Sequence, residues 1–137
     1  MPLDPEVLNE VERSLDRCGA NPAFLDRFYE VFLASSPKVL AMFEHTNFYR
    51  QKRALQASLH GMLLHARGTG AEPDAYLLEV AQRHSRGQLS IGSELYDLWL
   101  DSLLATVKEF DPQSTPEILA AWEQAMTQGI QFFLSHY

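Results

Sequence analysis

From Val7 to Phe133 the large apolar side chains of this chain recur at steps of three and four, and no alternating run carries the β-branched enrichment of a strand. Steps of three and four return side chains to one face of a helix, whereas a strand needs a period of two. The chain must therefore be assembled from amphipathic helices, each burying one stripe. Apolar residues make up 46% of the 137 and charged residues 21%, enough for a core without disulfides or a structural metal. These features predict an all-α fold of six to eight helices, with residues 1–137 as a single domain.

Local punctuation places the helices. Asp4-Pro5-Glu6 opens the first, with Asp4 as cap, and Cys18-Gly19 closes it. Asn21-Pro22 is expected to open the second, which carries Phe24, Leu25, Phe28, Val31 and Phe32 and ends near Ser35-Ser36-Pro37. A short turn through Val39, Leu40, Met42 and Phe43 and a polar loop from Glu44 to Asn47 follow. A long helix is expected from Phe48 to Arg67, broken by Gly68-Thr69-Gly70 and Pro73. The next begins near Asp74, and the stretch from Gly87 to Gly92 is irregular. Ser93-Glu94 starts a helix that stops at Asp111-Pro112, and Ser114-Thr115-Pro116-Glu117 starts the last.

The net charge of −7 makes nucleic acid and anionic membrane poor partners. No stretch is long and apolar enough to span a bilayer, and the acidic start lacks the features of a signal peptide. The one cysteine, Cys18, allows neither an internal disulfide nor a cysteine metal cage. A cytoplasmic protein is the expectation; monomer and homodimer both remain open.

Of five histidines, His84 is distinguished by its face. Leu77, Val80, Ala81 and His84 share one stripe. The spacing alone allows a core histidine satisfied by a backbone carbonyl. A lone histidine cannot build a structural zinc site, which needs four ligands. It can hold haem iron, because the porphyrin supplies four nitrogens. His60 and His65 are five apart, not four, and read as surface or packing residues; His45 lies in the loop, from which a conformational change could bring it to iron.

Five segments resemble, in order, those of the globin family, and the bacterial single-domain members most closely. Phe28-Tyr29, followed by Pro37 and Met42-Phe43, resembles the second helix and its corner. Arg50-Gln51-Lys52-Arg53-Ala54-Leu55 resembles the start of the distal helix, and Val80-Ala81-Gln82-Arg83-His84 the proximal helix. Ile91 with Glu94-Leu95-Tyr96-Asp97-Leu98-Trp99 resembles the next helix, and Ala121-Trp122 the tryptophan turn of the final one. The resemblance implies a globin fold around a haem b pocket. His84 would be the proximal iron ligand and Phe43 a wedge against the porphyrin. Gln51 would take the distal position, where many animal relatives use histidine. Leu55 would lie one turn later, and Tyr29 would point its hydroxyl into the pocket.

Haem is an apolar plate with propionates at one edge, so its slot needs apolar walls and a basic or wet mouth. Phe43, Leu55, Val80, Ile91, Leu95 and Trp99 are candidate walls; Lys52, Arg53, Arg83 and Arg86 are candidate propionate partners. Each could instead be ordinary core or solvated surface. Tyr29 and Gln51 would donate to a bound gas whose outer atom carries partial negative charge, favouring O2 over CO. The second ring nitrogen of His84 needs a partner. A carbonyl near Val80 is the first candidate, and Tyr96, placed nearby by the resemblance, the second.

The implied function is reversible binding of a diatomic ligand, O2 or else NO or CO, for storage, transport or sensing. An alternative is dioxygenation of nitric oxide. With no dinucleotide fingerprint in the sequence and no room for a flavin domain before Tyr137, that activity would need an external reductase. A haem-free globin-like regulatory module is a further alternative.

Overall fold

The computed structural model describes residues 3–68, 71–85 and 91–136, the side chains of 71–76 excepted. Seven α-helices occupy them: α1 (Pro5–Gly19), α2 (Phe24–Ala34), α3 (Pro37–Met42), α4 (Phe48–Arg67), α5 (Ala71–Arg83), α6 (Ser93–Phe110) and α7 (Pro116–Ser135). No strand occurs among the described residues. The all-α expectation holds.

The boundaries follow from capping chemistry. Asp4 accepts from the Glu6 amide at 2.8 Å, and Thr115 accepts from that of Ile118 at 3.1 Å, each with a proline in the first turn. Asn47 caps α4 through the Arg50 amide at 3.3 Å, and Gly68 closes that helix at φ 71°, a conformation costly for a residue with a Cβ.

Three expected boundaries need correction. Asn21-Pro22 does not begin α2: the Asn21 side chain accepts from the Ala23 amide at 2.9 Å, making a separate turn, and the helix starts at Phe24. The stretch expected as a turn through Val39 is the six-residue helix α3, because Ser36 caps it ahead of Pro37. Helix α5 begins at Ala71 rather than near Asp74. Pro73 falls in its first turn, where the missing N–H has no partner to lose.

Helix α7 packs on α1, α4 and α6, and α2 packs on α6. Trp122, Phe24, Phe28, Leu59 and Met62 are all but sealed from solvent at the centre. Helices α4 and α7 touch so closely that a Cβ on Gly129 would stand 2.5 Å from Met62 Cε. At the α1–α6–α7 junction, Arg17 and Ser14 both donate to the buried Asp111, and Trp122 Nε1 donates to Ser14 at 2.9 Å. Cys18 is buried beside them, and burial pushes its thiol up to about 12. Among the described residues no helix is long and apolar enough to cross a membrane.

Candidate functional site

A cavity of about 380 Å³ opens between α2–α4 on one side and α5–α7 on the other. Tyr29 and Phe32 reach it from α2, and Met42, Phe43 and Thr46 from the corner that follows. Helix α4 contributes Gln51, Ala54, Leu55, Ser58 and Met62, which form one stripe at steps of three and four. Val80, Arg83 and His84 come from the end of α5, and Ile91, Leu95, Tyr96 and Trp99 from α6 and the approach to it; Ile130 and Phe133 of α7 close the far wall.

Eleven residues singled out from the sequence, Tyr29, Phe43, Gln51, Leu55, Val80, Arg83, His84, Ile91, Leu95, Tyr96 and Trp99, thus border one space. Lys52 does not. Its ammonium pairs with Asp26 of α2 at 2.5 Å, because it leaves α4 on the flank away from the stripe. Arg53 lies over the ring of Tyr49, 5.8 Å from its centroid, and Arg86 falls outside the described residues. Sequence reasoning missed Ser58 and Met62, which continuing the Gln51–Leu55 stripe by one and two turns would have found. Nothing local marks Ile130 and Phe133 as cavity residues rather than core.

His84 sits just past the last helical residue of α5. Its backbone amide donates to Val80 at 3.0 Å, and its carbonyl accepts from Ile91 at 2.9 Å. The Val80 carbonyl, the first candidate for the ring, is therefore used by the backbone. Ring Nδ1 instead lies 3.0 Å from the Tyr96 hydroxyl. Phe133 stacks on Tyr96 at 22° and meets the His84 ring edge-on at 5.8 Å, wedging both. Burial, aided by the charge of Arg83, lowers the His84 pKa to about 4. The imidazole is neutral at neutral pH, the form that ligates metals. Burial also raises the Tyr96 phenol, which stays protonated.

On the opposite wall the Tyr29 hydroxyl donates to the Gln51 backbone carbonyl at 3.5 Å, the long limit for such a bond. Burial pushes its phenol up to about 12, a rise the Gln51 contact opposes. Phe28, Phe43 and Phe48 hold the ring edge-on at 5.0, 5.9 and 5.4 Å. The hydroxyl is thus fixed in place yet only weakly engaged.

The donor set suits a flat apolar macrocycle that brings four of its metal's ligands with it. One neutral, oriented imidazole stands in a largely apolar space, and among the described residues no three histidine, cysteine or carboxylate side chains converge as a bare metal ion would need.

Helices in this order, around a cavity carrying one half-buried histidine, define a globin-type protein. A crystal structure from Pseudomonas aeruginosa PAO1, of a protein described as structurally highly homologous to a human hemoglobin, matches with a TM-score of 0.90 and 40% identity, covering 96% of this chain and 98% of that one. Flavohemoproteins of Bacillus cereus (strain ATCC 10987 / NRS 248) and Bacillus anthracis are 30% identical over 111 residues, 80% of this chain. The chain spans 27% of the length of those flavohemoproteins. No protein-family model matches it. The chain belongs to the globin family.

Proposed function

We propose that this globin holds haem b through His84 and binds a diatomic gas reversibly, with O2 as the first candidate and NO or CO as others. One observation carries the reading: a neutral imidazole locked by Tyr96 shares its cavity with the barely engaged hydroxyl of Tyr29. Haem held there would supply an iron centre able to take a diatomic gas.

The roles of the chain's own residues follow from their surroundings. His84 offers Nε2 to the metal only if the proton rests on Nδ1, so Tyr96 must then accept from Nδ1–H. Phe43, Leu55, Val80, Ile91, Leu95 and Trp99 supply apolar wall and keep water out. Arg83, exposed at the mouth, is the cation for a propionate; Lys52, spent on Asp26, leaves that set. Tyr29 and the side-chain amide of Gln51 are the donors for a polarised gas. Each such bond contributes about 1 kcal/mol, and more with water excluded.

The flavohemoprotein relatives favour one second reading, nitric oxide dioxygenation with electrons from a reductase. Steady turnover of nitric oxide with a reductase, rather than one rapid reaction, distinguishes it. A haem-free regulatory module is the reading that a colourless protein would favour.

The test is spectroscopic. The purified protein, or protein titrated with haemin, should show a Soret band that moves on adding CO, and His84→Ala should lose it. A colourless protein that refuses haemin would overturn the proposal.

A further inference from the structure

The surface has two kinds of irregularity, and they coincide. Of the ten described lysines and arginines, Arg13, Arg17, Arg27, Lys38, Lys52 and Arg67 are held in ion pairs. Arg50, Arg53, Arg83 and Lys108 make none among the described residues. Among the described residues four large apolar side chains are exposed: Leu40 at 56%, Met42 at 39%, Tyr49 at 70% and Leu64 at 40%. Three of those four and two of the unpaired cations fall between residues 40 and 53, the corner joining α3 to α4. Arg83 stands at the cavity mouth that the same corner borders through Met42, Thr46 and Gln51.

Exposed apolar side chains beside arginine and tyrosine are the composition of an interface centre rather than of solvated surface. The local charge is positive, with Glu44 the one opposing carboxylate between residues 40 and 53, on a chain whose net charge is −7. A second copy is a poor occupant, because a two-fold contact would bring Arg50 and Arg53 against their own equivalents. The complement is an acidic face. Its position adds the purpose: the corner that carries this surface also lines the cavity, through Met42, Phe43, Thr46 and Gln51.

We propose that the α3–α4 corner, residues 40–53, is the docking surface for an acidic protein that donates single electrons; this rests on the haem reading above. The partner loses one electron, ferric iron gains it and becomes ferrous, and no bond forms or breaks. Leu40, Met42 and Tyr49 supply apolar contact, and Arg50 and Arg53 steer and orient the acidic face.

The test uses the haemin-loaded chain and an acidic flavodoxin as probe, followed by amide NMR shifts at about 20 mM salt, where such pairing is least screened. Shifts should concentrate at residues 40–53. Arg50→Glu with Arg53→Glu should weaken binding about tenfold or more. Lys108→Glu, which sits about 14 Å beyond Trp99 along α6, should leave it unchanged. Scattered shifts, none at millimolar flavodoxin, or equal loss with Lys108→Glu would overturn the docking surface. Haemin uptake is read separately from the Soret band. Uptake without flavodoxin binding sinks the docking surface alone, whereas corner shifts in a chain that refuses haemin sink its electron-donating purpose.

Discussion

Nδ1 of His84 lies 3.0 Å from the hydroxyl of Tyr96, and Phe133 stacks against that tyrosine from behind. The pair orients an imidazole that would otherwise turn freely in a cavity. Removing the hydroxyl while keeping the ring tests this: Tyr96→Phe should weaken haem retention about 10- to 100-fold, the usual cost of losing a partner behind a metal-binding histidine. The rate of haem transfer to an apoglobin acceptor measures it. An unchanged rate would mean that packing by Phe133 alone orients the ring.

The same histidine makes stability pH-dependent. Its folded pKa of about 4 lies below the ordinary 6.5, so the unfolded chain takes up the proton first. The contribution is full above 6.5 and falls as pH drops from 6.5 toward 4, by about 3 kcal/mol at most. Urea denaturation of the haem-free protein across that window, beside His84→Leu, should show a steeper loss for the wild type. Parallel slopes would exclude His84 as the cause.

Tyr29 carries the opposite wall. Its hydroxyl has only a 3.5 Å bond to the Gln51 carbonyl to give up. Tyr29→Phe should raise the O2 dissociation rate about tenfold or more, the equivalent of roughly 1.4 kcal/mol. Stopped-flow displacement of O2 by CO reads this directly. A rate unchanged by the substitution removes Tyr29 as a ligand donor.

Asp111 is buried and accepts from Arg17 Nε at 2.6 Å, Arg17 Nη2 at 2.9 Å and Ser14 at 2.6 Å. Burial opposes its ionisation, but these donors outweigh it and hold the carboxyl below the usual range. That contribution is present at neutral pH and lost in acid below the ordinary carboxyl range, a window lower than that of His84. Asp111→Ala should cost about 3 kcal/mol, because it strands Arg17 and Ser14. The Trp122 fluorescence transition, whose indole bonds to Ser14, is the readout.

At the α4–α7 crossing, a methyl on Gly129 would meet Met62 Cε at 2.5 Å and Cγ at 2.9 Å. The terminal carbon can swing away but Cγ cannot, so Gly129→Ala should destabilise by about 1–3 kcal/mol. In a Met62→Ala background the same Gly129→Ala change should cost less than in the wild-type chain, read by urea denaturation. Additive losses would show that Met62 is not the obstacle.

Much of this was legible in the chain itself. Apolar spacing placed α1, α4, α6 and α7, and the side-chain caps Asp4 and Thr115 fixed the starts of α1 and α7, because caps and stripes act within a few residues of each other. The boundaries that shifted, at Asn21-Pro22 and Pro73, are sites where proline fits a turn and a first helical turn equally well, and local sequence holds nothing to choose between them. His84 was marked by its stripe, and Tyr29, Phe43 and Gln51 by family resemblance.

Only the packing of distant segments could decide the rest. That the ring of His84 meets Tyr96 rather than a carbonyl, that Lys52 turns to Asp26, and that Ile130 and Phe133 close a cavity instead of filling core all depend on how helices far apart in the chain cross. Helix formation is settled by neighbours three and four residues apart. A cavity is settled by which faces meet, and that information is shared among all the helices and held by none.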